Sequence, residues 1–280
     1  RPILPAVSDV AWARNSIDYF VLEQLEQNGL RPSREADRVL LLRRATLTLT
    51  GLTPTIDEVE DFLADDSPDA YEKALTRLLD SPRYGEHMAL AWLDAARYAD
   101  TSGYQSDGYR DMWRWRDWVI QAFDRNMPFD QFTIEQLAGD LLPQPTQDQL
   151  IATGFHRNHM INGEGGRIAE ESRVDYVQDR VETTGTVWMG LTFNCCRCHD
   201  HKYDPFTQRD YYGLKAFLAN VGEQGDGGQD VVVLPNAELD SRITKLETEA
   251  TSLRAQIRDR RANDAELASW TERLTNDRVQ

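Results

Sequence analysis

The chain has 280 residues, 40% hydrophobic and 28% charged, the balance of an ordinary globular protein long enough to bury a sizeable core. Its formal net charge is −16 and its pI about 4.7, which excludes partners that need a basic surface, namely a nucleic-acid backbone or an anionic lipid face. No apolar run approaches the roughly 18 residues of a membrane-spanning helix.

The pattern along the chain is mostly α. Ile17, Phe20, Val21, Leu25 and Leu30 recur at helical spacing, and a second helix is predicted over residues 35–46 around Leu40, Leu41 and Leu42. Gly51-Leu52-Thr53-Pro54 is a turn, after which Thr55 and Glu58 form a capping box for a helix running toward Phe62. Ser67-Pro68-Asp69 and Ser81-Pro82 start the next two helices, to Leu79 and toward Tyr98, with proline placed where a missing N–H costs nothing. Residues 100–110, with Gly103 and Gly108, read as a loop. Helices follow over residues 113–123 and 128–137. Pro143-Gln144-Pro145 breaks the pattern, and Asn162-Gly163-Glu164-Gly165-Gly166 is the sharpest loop signal. A long polar helix is predicted over residues 170–185, leading into Val187, Trp188 and Met189, and a closing helix over residues 211–218.

Gly-rich residues 222–235 form a linker in which Val231-Val232-Val233-Leu234 reads as a short strand. Beyond it, Leu239, Ile243, Leu246, Ala250, Leu253 and Ile257 alternate steps of four and three, a heptad seam. The pattern falters at Arg260 and resumes at Leu267, Trp270 and Leu274. The expected architecture is an irregular multi-helix domain with long loops over residues 1–221, the linker, and a helical hairpin or coiled-coil arm over residues 236–280, whose heptad pattern equally suits an ordinary amphipathic helix packed on the main domain.

All three cysteines lie in Cys195-Cys196-Arg197-Cys198-His199. Cys195, Cys198 and His199 make one Cys-x-x-Cys-His, the pentapeptide of covalent haem c attachment. Two cysteines three positions apart reach both vinyl groups of a porphyrin edge, and the adjacent His binds iron from below. Two other readings compete. Cys195, Cys198, His199 and His201 are four zinc-type ligands, although structural zinc usually draws on two separated knuckles. A redox dithiol would want the pair opening a helix in a βαβ unit, which the pattern lacks.

A haem at this point needs its second axial ligand from upstream, because every Met precedes the motif and His201 is too close to His199 to reach the opposite face. His156, His159 and Met160 cluster beside the Gly-rich loop and are the candidates, His159 first. An open sixth position would instead favour binding small ligands. Arg114 and Arg116 are candidates for holding haem propionates; alternatively the neighbouring Trp113, Trp115 and Trp118 stack on sugar rings, or the stretch is a core-edge network of Arg–Asp pairs and Trp packing. Glu164, Glu170, Glu171, Asp175 and Asp179 form an acidic run that suits a divalent cation as well as a solvated face. Haem c is attached outside the bacterial cytoplasm, so the motif implies a periplasmic or surface location. The opening Arg1-Pro2-Ile3-Leu4-Pro5, with no initiating Met or signal peptide, reads as a piece of a longer protein.

Several stretches carry a resemblance. They are Leu49-Thr50-Gly51-Leu52-Thr53-Pro54-Thr55, Ser81-Pro82-Arg83-Tyr84-Gly85-Glu86, Trp92-Leu93-Asp94 with Arg97-Tyr98-Ala99-Asp100, Gln136-Leu137-Ala138-Gly139-Asp140, and Cys195 through Pro205. On these, roughly residues 15–220 resemble the planctomycete cytochrome-associated family, a large domain of unknown function. In that family a small residue usually stands where this chain has Cys196, and Pro where it has Thr53. The resemblance implies a secreted haem protein whose parent carries a small cytochrome c module before this domain and a second uncharacterised domain after it, in an association with polysaccharide breakdown. The function expected is electron transfer by a mono-haem c domain, to a redox protein or to the adjacent cytochrome c module. The alternatives are an oxidoreductase with an open iron and a carbohydrate-associated scaffold with a structural metal.

Overall fold

Helix starts are written into single residues. Asn15, Thr55, Thr146 and Thr207 each accept a backbone N–H with the side chain while the residue three further on returns the bond, so two orphan amides are satisfied at once. Asp37 caps the next start through the Leu40 amide at 2.8 Å, and Ser81 caps another, with Pro82 in its first turn.

The computed structural model describes residues 2–105, 107–223, 236–259 and 264–277. Within them the helices are α1 (Ser16–Gln27), α2 (Arg38–Thr50), α3 (Ile56–Ala64), α4 (Ala70–Leu79), α5 (Pro82–Ala95), α6 (Trp113–Asp124), α7 (Phe129–Ala138), α8 (Gln147–Ala152), α9 (Ala169–Met189), α10 (Gln208–Leu218), α11 (Ala237–Asp259) and α12 (Asp264–Asp277). Short 3-10 turns occupy Gly139–Leu141, Thr153–Arg157 and Phe193–Arg197. The mostly α class is therefore correct. Among the described residues there is no strand, only one antiparallel bridge, Thr101 to Tyr109, closing the predicted loop. The expected Val231–Leu234 strand and most of the linker lie outside the described residues.

Three differences from the sequence pattern have local causes. The second helix runs over residues 38–50, because Asp37 is its cap. Leu30 lies beyond α1 and satisfies the Leu25 carbonyl at 2.8 Å instead of extending the helix. Residues 143–157, which carry no long apolar period, still fold into α8 and a 3-10 turn, started by the Thr146–Gln149 box.

The chain divides into two compact units, residues 1–229 and 230–280. In the first, the main core gathers Ala89, Leu93, Trp115, Trp118, Val119, Phe132 and Phe155, flanked by Trp92 and Trp188. The rings meet edge to face or stacked, Trp92 on Phe132 at 4.9 Å and Trp118 on Phe132 at 5.5 Å between centroids, geometries that add about 1 kcal/mol to simple burial. Leu42, Phe62, Ala70 and Ala74 join α2, α3 and α4. A third cluster, Val177, Val181, Phe193, Cys196, Tyr211 and Leu218, clamps the Phe193–Arg197 turn between α9 and α10. That docking needs a glycine: a Cβ on Gly185 of α9 would stand 2.8 Å from the Phe193 Cβ. The second unit holds α11 and α12, on the heptad run and its resumption.

Candidate functional site

Helix α9 stops at Gly190, whose φ of 65° is a left-handed value that glycine adopts freely, and the chain doubles back into the cysteine turn. In a 3-10 turn residues i and i+3 share a side. Cys195 and Cys198 are accordingly both exposed and both free thiols. Cys196 points the other way. It has no exposed surface, lies against Val177, Val181 and Tyr211, and directs its Sγ to the Phe206 carbonyl at 3.6 Å. Burial pushes its thiol pKa up.

His199 is exposed, and its Nδ1 lies 2.7 Å from the Asp200 carbonyl oxygen. A ring that donates from Nδ1 to a carbonyl presents the Nε2 lone pair outward, the tautomer a metal-ligating His requires. The turn is braced from α10. Gln208 Nε2 and the Tyr212 hydroxyl both donate to the Arg197 carbonyl at 3.2 Å, and the Gln208 amide donates to Asp200 at 2.8 Å. His201 is spent locally: its Nδ1 accepts from the Asp204 amide at 2.9 Å and the Tyr203 amide at 3.3 Å, and its own amide donates to Phe206 O at 2.8 Å. Among the described residues, no group of three or more His, Cys, Asp or Glu is arranged to hold a metal ion. Two exposed thiols on one side of a turn, followed by an imidazole held at Nδ1 and open at Nε2, fit the donor set of haem c attachment.

His156 and His159 lie elsewhere, buried at 5% and 2% exposure between the 3-10 turn after α8 and one face of α9. His156 Nε2 faces the Leu137 carbonyl at 3.2 Å, and burial lowers its pKa to about 4. His159 stacks on Tyr176 with centroids 4.5 Å apart. Its Nδ1 meets the Met160 carbonyl at 2.9 Å, and its Nε2 meets Arg180 at 3.2 Å and Glu223 at 3.0 Å. Burial, reinforced by the Arg180 and Arg110 cations, pulls this ring down to about 4 as well, with Glu223 pulling the other way. Both nitrogens of the first-choice second ligand are thus engaged. Met160 is exposed and packs across Gly103. Among the described residues, no hydrogen bond or ring contact joins His156, His159 or Met160 to Cys195, Cys198 or His199.

The family model PSCyt2, described as a protein of unknown function (DUF1549), matches residues 16–223. The chain belongs to the PSCyt2 family. No curated protein and no solved structure matches it. The PSCyt2 match begins at the first residue of α1 and ends at Glu223, so α11 and α12 fall beyond it.

Within the PSCyt2 span, the remaining candidates are dispersed. Arg114 lies over the Trp113 ring at 4.1 Å, and Arg116 is held by Asp117 at 2.7 and 2.9 Å. Both belong to α6, which packs on α5 and α8, whereas the cysteine turn packs on α9 and α10. Trp115 and Trp118 are core residues, 2% and 3% exposed, which agrees with the packing alternative and not with faces free for sugars. The acidic run does not converge either: Glu170 pairs with Arg173, Asp179 with Arg97, and Asp175 lies 3.8 Å from Arg197.

Sequence reasoning missed the charges around His159. Arg180 is 3% exposed. It donates from Nε to the His156 carbonyl at 2.9 Å and pairs with Glu223, which also lies 3.4 Å from Arg157. Burial lowers its pKa to about 10, which leaves it charged at neutral pH. Buried Arg110 donates to the His159 carbonyl at 2.8 Å. One signal was available. Tyr176, Arg180 and Thr184 recur every fourth residue beside Val177 and Val181, so a cation stood in phase with the apolar face of α9. Glu223, at the edge of a Gly-rich stretch, offered none.

Proposed function

We propose that this chain is an extracytoplasmic domain that carries one covalently attached haem c and passes electrons within a larger protein. The observation that carries the reading is the pair of free, exposed thiols, Cys195 and Cys198, on one turn, followed by His199 with Nδ1 fixed and Nε2 unengaged. Cys195 and Cys198 would hold the haem through two thioether links. His199 would hold the iron through Nε2, its ring oriented and made more basic by the Asp200 carbonyl. When bound, the haem supplies one-electron exchange. The brace from Gln208 and Tyr212 holds the turn still, and Cys196 anchors it from below. The electron partner in this reading is a redox protein or an adjacent cytochrome c domain of the parent chain, in a periplasmic or cell-surface setting associated with polysaccharide.

A second reading rests on the burial of His156 and His159. Because both are committed inside the fold, neither would hold the iron, and a haem held by His199 alone would take a small exchangeable ligand such as peroxide, the chemistry of an oxidoreductase. One experiment addresses both. The protein is produced with the haem-attachment machinery, and its intact mass and visible spectrum are recorded. The expected result is a mass one haem above the polypeptide, lost in Cys195→Ala/Cys198→Ala. A low-spin spectrum indifferent to added cyanide supports electron transfer, and a high-spin spectrum that cyanide shifts supports the oxidoreductase. An unmodified mass, alongside a control cytochrome that loads normally, sinks both.

A further inference from the structure

Among the described residues of its own unit, nothing covers the seam of α11. Leu239, Ile243, Leu246, Leu253 and Ile257 are 43–74% exposed along a helix of 23 residues, about 35 Å long. With Leu239 set at position d, the a positions are Ile243, Ala250 and Ile257, and the d positions are Leu239, Leu246 and Leu253. Ile at a with Leu at d is the combination that favours two parallel strands over higher assemblies.

The flanking charges agree. The g positions begin Arg242 and Glu249, and the e positions that follow them by five residues are Glu247 and Arg254. In a parallel, in-register pair, Arg242 of one copy faces Glu247 of the other, and Glu249 faces Arg254. Two-fold symmetry doubles both, giving four attractive pairs and no repulsive one. All four side chains are exposed, and among the described residues none of them is ion-paired within its own chain. Helix α12 is a poorer occupant of the seam. It offers three apolar positions, Leu267, Trp270 and Leu274, against six on α11.

We infer that α11 is a homodimerisation helix that pairs with α11 of a second copy as a parallel, in-register, two-stranded coiled coil. The inference does not depend on the haem reading.

The test is sedimentation equilibrium of the full chain over a dilution series. The expected result is a reversible dimer of twice the 32.1 kDa chain mass. Leu246→Lys/Leu253→Lys abolishes it, with the thermal midpoint of the rest of the chain unchanged, since both side chains are exposed within one copy. Charge exchange then fixes orientation. Arg242→Glu alone places two like-charge pairs in the dimer and weakens it roughly tenfold. Arg242→Glu/Glu247→Arg restores a parallel dimer. In an antiparallel pair, Arg242 faces Glu249 and Glu247 faces Arg254, so the same double exchange makes matters worse. A monomer at every concentration, a dimer indifferent to the seam lysines, or a double exchange that fails to rescue each overturns the inference.

Discussion

Acidification should unfold this protein earlier than its carboxylates alone would dictate, because two imidazoles are buried uncharged. His156 and His159 are each lowered from 6.5 to about 4, first by burial and then by nearby cations, Arg180 and Arg157 for the one and Arg180 and Arg110 for the other. Asp140 opposes the shift of His156, and Asp179 and Glu223 oppose that of His159. In the unfolded chain both rings take up a proton near pH 6.5, whereas in the fold they refuse it until about pH 4. Their stabilising contribution is therefore complete above pH 6.5 and is lost as pH falls toward 4. At 1.36 kcal/mol for each pH unit, His156 gives up about 2 to 3 kcal/mol by pH 4.5, a large part of a typical domain's stability, and His159 adds to the loss in the same direction. One carboxyl works against the two rings in this window: Glu182, raised chiefly by burial, takes up its proton in the fold before it does in the unfolded chain and so gains stability as pH falls. Glu58, held down chiefly by the Thr55 amide, and Asp65, held down chiefly by the Ser67 hydroxyl, have depressed pKa values and release their contributions only at lower pH. Urea unfolding followed by tryptophan fluorescence between pH 7.5 and pH 4.5 measures the effect. The variant His156→Gln keeps a donor for the Leu137 carbonyl and should flatten the slope by about one proton. A midpoint that stays level from pH 6.5 to pH 5, or a variant with the full wild-type slope, would refute the reasoning.

Two further outcomes follow from the same structure. Cys195→Ala and Cys198→Ala should each change stability by no more than about 0.5 kcal/mol, because both thiols are exposed, whereas Cys196→Ser places an ill-matched hydroxyl in the core and costs about 1 to 3 kcal/mol. Equal effects at all three positions, by thermal or urea midpoint, would count against the inward aim of Cys196. Glu223→Gln leaves the buried Arg180 side chain without a full counter-charge and should cost on the order of 3 kcal/mol at pH 7. A neutral result in urea would show that the pair does not tie residue 223 to the core.

What could be read from the sequence divides along physical lines. Caps and helix starts are local chemistry, so Thr55–Glu58 and Ser81–Pro82 announced α3 and α5 directly. Periodicity over many residues announced α9 and the α11 seam. Short elements such as α8 escaped, because six residues carry too little period to register and only the Thr146 box marks them. The cysteine turn was legible as chemistry but not as geometry: nothing in the order Cys195-Cys196 says which sulfur faces the interior. His156 and His159 were picked out because imidazoles bind iron, yet their role depends on Arg180 and Glu223, which lie 21 and 64 residues beyond His159 in the chain. Partnerships at such separations are set by packing and leave no spacing rule behind.

The sealing of Cys196 also settles a problem of chemical traffic. Three neighbouring sulfurs invite mispairing, and any of them is open to attack by an electrophile or a disulfide. By drawing one sulfur inside and raising its pKa, the fold withdraws it from circulation. Oxidants and electrophiles meet two sulfurs rather than three, and which two is decided by what the solvent can touch.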